Sequence, residues 1–163
     1  MFTYLKSKLF PVRIDTTNYV PEILKDYVLL SGSRRWNVHT ETSDVDLALK
    51  ENDVETLCTI LALNRINYKK VRTGYSNVLS AIIFYLNDLK YEVSIMTIKN
   101  FETCQTILPI LDNFAKDNKK FKKKDYRVLM FDCLQSAVYY NNFTDLPTDL
   151  TTFLKEHYPE LSL

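Results

Sequence analysis

The chain has 163 residues, of which 46% are hydrophobic and 13% aromatic, enough for one domain with a sizeable core. Its 21 Lys and Arg against 20 Asp and Glu leave a net charge of +1, so global charge draws it neither to nucleic acid nor to a membrane surface. No apolar run reaches the roughly 18 residues that cross a bilayer, and the start, Met1-Phe2-Thr3-Tyr4-Leu5-Lys6, does not have a signal-peptide layout.

In chain order, residues 1 to 26 suit one or two short helices. Pro21 is placed for a first helical turn through Pro21-Glu22-Ile23-Leu24-Lys25. The apolar run Tyr27-Val28-Leu29-Leu30 reads as a buried strand, ending in Ser31-Gly32-Ser33. A polar loop follows from Arg34 to Thr42, broken only by Trp36 and Val38. Trp36 is expected to pack the loop onto the domain, and His39 to be solvated. Ser43-Asp44-Val45-Asp46-Leu47 then reads as a strand, with Val45, Leu47 and Leu49 on its apolar face.

Asn52-Asp53-Val54-Glu55 supplies an N-cap with an acid three positions on. From there Val54, Leu57, Cys58, Ile60 and Leu61 form a helical stripe to about Asn64. Tyr68 to Arg72 suits a short strand, and residues 73 to 77 a turn. Val78 to Leu86 and Tyr91 to Ile98 read as an antiparallel hairpin joined through Asn87-Asp88-Leu89-Lys90. From Asn100 a helix carries Ile107, Leu108, Leu111 and Phe114, with Pro109 expected to kink or end it.

Beyond it lie six lysines in the nine residues 116 to 124. Such a run suits a solvated loop between helices or a tract that follows a phosphate backbone. Two further helices are expected, one capped by Asp125 and running to about Tyr140, the other near Asp149 to His157. Cys58, Cys104 and Cys133 are widely spaced and odd in number, which suits reduced thiols and a cytoplasmic protein. Two histidines, His39 and His157, cannot by themselves make a zinc site.

The chemistry concentrates in three places. Gly32, one of two glycines in the chain, follows a strand, where the backbone can turn sharply and approach a ligand. Ser33 adds a hydroxyl donor beside it. After ten intervening residues, Asp44 and Asp46 point from one face of a strand, an arrangement that like charges resist and a hard divalent cation relieves. Glu92 stands in the apolar run Tyr91-Glu92-Val93, where a lone carboxylate is costly without a partner. A solvated edge strand is the plain alternative for an isolated Asp-x-Asp.

Together Gly32-Ser33, Asp44-Val45-Asp46 and Tyr91-Glu92-Val93 resemble the signature of nucleotidyltransferases of the DNA polymerase β superfamily, over roughly residues 20 to 100. Gly32-Ser33-Arg34-Arg35-Trp36 with Ser43-Asp44-Val45-Asp46 further resembles the subgroup associated with RNA ligases. This chain has Asn37 where that subgroup usually has glycine, and Glu92 where it often has Asp. Asparagine is the next residue most tolerant of a left-handed backbone, so the first departure is mild.

The resemblance implies an α+β fold, a small mixed sheet with flanking helices and a C-terminal helical extension. Residues 1–100 would be the catalytic core and 101–163 an extension packed on it. It implies Mg²⁺ or Mn²⁺ held by Asp44, Asp46 and Glu92, and a nucleoside triphosphate held by Gly32, Ser33 and Arg34. Arg34 and Arg35 lie near enough to reach a triphosphate; the alternative is a surface pair with Glu41. The implied activity is transfer of a nucleoside monophosphate to an acceptor hydroxyl. Lys119, Lys120, Lys122, Lys123 and Lys124 favour an RNA or other nucleic-acid end as acceptor. A protein or small-molecule acceptor, or an inactive binding module of the same fold, are the alternatives. No membrane partner is expected.

Overall fold

The structure is a computed structural model. It describes residues 19–73 and 78–117, with side chains to residue 113 in the last helix, and the isolated positions 148, 152, 155, 156 and 159. The lysines from 119 to 124 and the two helices expected after them lie outside the described residues.

The architecture is α+β, one five-stranded mixed sheet with helices packed on it. The strands are β1 (Val28–Ser31), β2 (Val45–Lys50), β3 (Tyr68–Val71), β4 (Ser80–Leu86) and β5 (Leu89–Met96), in the spatial order β1-β2-β5-β4-β3. Only β2 and β5 run parallel; every other neighbouring pair is antiparallel. The helical elements used below are α1 (Gly32–Arg35), α2 (Val54–Leu63) and α3 (Ile98–Asp117).

One face of the sheet forms the main core. Val45, Leu47, Leu49, Tyr91, Val93, Ile95, Ile82 and Phe84 bury against Leu57 and Leu61 of α2 and against Leu24. The alternation of apolar and polar residues along β2 and β5 sends their carboxylates to the opposite face. The in-register pair Phe84 and Tyr91 stack at 4.8 Å, a cross-strand contact that adds to their buried area. Helix α3 packs on β2 and β5. Cys104 Sγ meets Met96 Sδ at 3.7 Å, and the Lys50 ammonium stands 5.3 Å from the Phe101 ring centre.

Several local expectations change. Pro21 precedes a single 3₁₀ turn, Glu22–Leu24, rather than opening an α-helix. The stretch after Gly32 makes one helical turn, α1, before the loop begins. The residue at the N-cap of α2 is Asp53, not Asn52, because Glu51–Asp53 form a 3₁₀ turn first, and no side chain closes the cap.

Pro109 neither ends α3 nor stops it short of Asp117. Buried Ile107, Leu108 and Leu111 flank the proline, and their packing offsets the hydrogen bond it cannot donate. The hairpin turn is also tighter than expected: Asn87 and Asp88, with φ of 49° and 64°, are its two central residues. Positive φ at both positions is the signature of the two-residue hairpin loop whose twist matches the strands. Leu89 and Lys90 therefore belong to β5, and Lys90 pairs in register with Tyr85. Among the described residues, no helix is long and apolar enough to cross a membrane.

Candidate active site

Parallel pairing of β2 and β5 sets the site. It places Asp46 directly opposite Glu92, and β1 on the other side places Ser31 opposite Asp46. Residues in register on neighbouring strands share a face, so two half-buried carboxylates stand side by side, a repulsive arrangement without a cation nearby. Asp44, one residue before β2, stays on the same side. Its Oδ2 accepts a 2.8 Å hydrogen bond from Lys90 Nζ, which also lies 4.0 Å from Glu92 Oε2.

The cation in this group is thus Lys90, two residues before Glu92 on one face of β5. Hydrogen bonding to Asp44 raises its pKa above the ordinary lysine value, burial opposes this, and the Asp44 and Glu92 charges add to the rise. In the sequence Lys90 reads as the end of a four-residue turn, which hides its place on β5. The signal that finds it is Asn87-Asp88, two residue types that accept positive φ and so permit a two-residue loop.

Gly32 completes the approach to Asp46. Its φ is +74°, and a Cβ there would sit 2.0 Å from Asp46 Oδ2. The turn expected from sequence is therefore required twice, by backbone conformation and by contact with the acid. Ser33 follows, buried, and its carbonyl accepts the Val38 N–H at 3.0 Å, which folds the loop back on the turn. Asn37 adopts φ 56°, the left-handed conformation that its tolerance for that region anticipated.

Arg34 and Arg35 are both committed to the scaffold. Buried Arg34 donates from Nε and Nη2 to the Ser43 carbonyl at 3.1 and 2.8 Å and lies 4.7 Å from the Tyr19 ring centre. Its guanidinium therefore fixes the end of the loop one residue before Asp44. Thr40 and Ser43 close that loop further: the Thr40 N–H donates to Ser43 Oγ at 2.9 Å and the Ser43 N–H to the Thr40 carbonyl at 3.1 Å.

Arg35 does not pair with Glu41. It makes a two-pronged bond to Asp112 of α3, 2.8 Å for each prong, and donates to the Leu30 carbonyl at 2.7 Å. Trp36 Nε1 donates to the same Asp112 carboxylate, so the tryptophan packs the loop as expected but onto α3. His39 is not a solvated loop residue. It is half-buried, edge-on to Tyr19 at 5.6 Å, with the Tyr19 hydroxyl 3.4 Å from Nε2. Both departures have one cause: residues far apart in sequence, Asp112 and Tyr19, meet the loop only in the fold.

Three carboxylates on one face are the oxygen-rich, anionic donor set that Mg²⁺ or Mn²⁺ prefers. In the described residues no three acidic, His or Cys side chains converge as a metal-holding group; Lys90 stands between two of the acids. Carboxylate oxygens are the donor type a hard divalent cation takes, and in this structure the group that meets two of them is the Lys90 ammonium.

Among known proteins, no family model matches the sequence and no curated protein is significantly similar to it. Among solved structures the chain is similar to Cid1 poly(U) polymerase, with a TM-score of 0.40 and 12% identity over 69% of this chain and 41% of that one. It is likewise similar to a cytoplasmic RNA terminal U-transferase, with a TM-score of 0.40 and 13% identity over 69% of this chain and 40% of that one. The chain thus spans less than half the length of either.

Proposed function

We propose that the chain is a divalent-metal-dependent nucleotidyltransferase that moves a nucleoside monophosphate from a triphosphate to an acceptor hydroxyl. The observation that carries this reading is the in-register pair Asp46 and Glu92 on parallel strands, with Gly32 against Asp46 and Asp44 bridged to Glu92 through Lys90. Asp44, Asp46 and Glu92 would hold the cation. Bound there, a divalent ion supplies counter-charge to the triphosphate and lowers the pKa of the attacking hydroxyl.

The chain's own residues do the rest. Gly32 and Ser33 begin α1, where backbone N–H groups have no partner within the helical turn and suit phosphate oxygens. The absence of a side chain at Gly32 lets that backbone come up to Asp46. Glu92 takes the proton of the acceptor hydroxyl. The hydroxyl oxygen bonds to the α-phosphorus as the bond from that phosphorus to the bridging oxygen breaks, and pyrophosphate leaves with the electron pair. Arg34, tied to the Ser43 carbonyl one residue before Asp44, fixes the end of the loop and would stand beside Gly32 and Ser33 at the triphosphate.

A nucleic-acid end, in particular RNA, is the acceptor that the lysines from 119 to 124 support. The test incubates the protein with each α-labelled triphosphate, Mg²⁺, total RNA and a cell lysate. Label is expected in RNA, falling steeply with salt, and lost in Asp44→Ala and Asp46→Ala proteins. Label entering protein or a small molecule instead would overturn the acceptor but keep the transfer. A second reading, a binding module of the same fold without turnover, is favoured by the Lys90 ammonium that already neutralises Asp44. Under that reading the two aspartate variants keep the protein's biological effect.

A further inference from the structure

We propose that the open sheet face beside the acids docks the 3′ end of a single-stranded RNA, with Tyr85 stacking a base and Lys69 meeting a phosphate. This rests on the proposed function for its choice of acceptor, and it adds where on the fold that acceptor lies.

Strand register lays the surface out in rows. Asp46, Glu92, Ile83 and Lys69 are in register across β2, β5, β4 and β3, so they share one face. Lys90 and Tyr85 form the neighbouring cross-strand pair on that face, next to Asp44. In the other direction Ala48 and Ala81, also on this face, are buried. The face is therefore open on the side of the acids and the β4–β5 turn.

Tyr85 is 64% exposed, the most exposed large apolar side chain among the described residues. Phe84 and Tyr91, the other aromatic pair of this hairpin, stack in the core. Pairing with Lys90 explains a tyrosine at this position of β4, but not why so much of it stands in water one strand from the acids. An exposed ring on a rigid sheet is a platform on which an unpaired base of any type can stack.

Charge orients the strand. At one end Asp44, Asp46 and Glu92 outnumber the single Lys90 ammonium. At the other, Arg65, Lys69, Lys70 and Arg72 lie on and beside β3, with no acid between them. Lys69 is exposed and stands two strand spacings, about 10 Å, from Glu92, within reach of the phosphate behind a terminal nucleotide. A nucleic-acid chain is repelled where it brings a phosphate to the acids and attracted where its phosphates lie over β3. The part that meets both demands is a terminal sugar with a free hydroxyl at the acids, its base on Tyr85 and the phosphate behind it at Lys69. The 3′ end is the one at which nucleotide transfer extends a chain.

The probe is a short single-stranded RNA of mixed sequence, dye-labelled at its 5′ end. Its binding to the full chain is followed by fluorescence anisotropy at low salt with a metal chelator present. Wild type is expected to bind the 3′-hydroxyl RNA several-fold more tightly than the same RNA with a 3′-phosphate. Tyr85→Ala should weaken binding by about five-fold or more, the size of one base stack, whereas Tyr85→Phe should bind like wild type. Lys69→Gln should lower the slope of log affinity against log salt by about 0.7. Both side chains are exposed, so these variants keep the fold.

Absence of binding by wild type, equal binding of the two RNA forms, or unchanged binding by Tyr85→Ala overturns the proposal. Its failure is separable from that of the proposed function. Wild-type transfer of label to a protein or small molecule, without RNA binding, overturns the docking surface and keeps the transferase. RNA binding with these signatures but no transfer to any acceptor supports the surface and rejects the transferase.

Discussion

Gly32 is where a single residue decides most. A side chain there meets both a left-handed backbone and the Asp46 carboxylate. The conformational part alone costs roughly 1–2 kcal/mol for an L-residue, and relief of the clash must displace the carboxylate. Gly32→Ala is therefore expected to lower stability by at least about 2 kcal/mol in urea unfolding and, under the proposed function, to weaken any cation binding at Asp46 together with it. Retained stability and cation affinity would show that the turn has room the geometry denies.

The glycine was legible in the sequence because it directly follows an apolar strand in a chain with only two glycines, where a sharp turn is the local need that glycine meets best. Arg34 was legible only in type. A guanidinium beside a Gly-Ser turn suggests a triphosphate contact, and the fold adds a partner that the string does not show, the Ser43 carbonyl. A backbone carbonyl has no signature in a one-dimensional string, so a scaffold role is easy to overlook.

At the scale of elements, α3 is fastened to the turn rather than merely laid on the sheet. Asp112 collects Arg35 and Trp36, so the helix holds the segment that begins with Gly32. Asp112→Ala and Arg35→Ala should each destabilise by about 1 kcal/mol, the pair being partly exposed. In a double-mutant cycle the two losses should be partly non-additive, since both remove the Arg35–Asp112 pair while each also removes a separate bond, to Trp36 or to the Leu30 carbonyl. Full additivity would mean that the two side chains act independently.

The β4–β5 turn allows a complementary experiment. Asp88 holds φ 64°, which glycine adopts without strain, so Asp88→Gly should raise stability by about 0.5–1 kcal/mol. A loss instead would mean that Asp88 makes a side-chain contact worth more than the backbone strain. This hairpin shows how small an error matters. Moving the turn by two residues changes Lys90 from a loop residue into the cation of the acid group, because strand register carries side chains to fixed faces.

For the whole molecule, two buried groups set an alkaline limit. Burial pushes the Cys104 thiol from 9.0 up to about 12, and burial pushes the Tyr91 phenol from 10.0 up to about 12, against a smaller pull from Arg34. In each case the folded protein keeps its proton after the unfolded chain has released it. The stability they contribute is then full below about pH 9 and lost as pH rises toward about 12. Within that window the slope approaches roughly 1.4 kcal/mol per pH unit for each group. Urea unfolding across it should show a steep decline, and Cys104→Ala should flatten its lower part. The same slope in that variant would assign the loss to other groups.

What the sequence by itself determined is whatever depends on near neighbours. The strand before Gly32, the alternation that buries Val45, Leu47 and Leu49, the helix over Val54–Leu63 and the left-handed Asn37 all follow from local period and backbone tolerance. The α+β class followed from their order. Only the tertiary structure decided the pairings between distant segments: the parallel register that sets Asp46 against Glu92, Asp112 beneath Arg35 and Trp36, Tyr19 against His39, and Lys90 among the acids. The physical reason is that residue type and spacing specify which face a side chain takes, whereas the neighbour it meets there depends on how strands from elsewhere in the chain align.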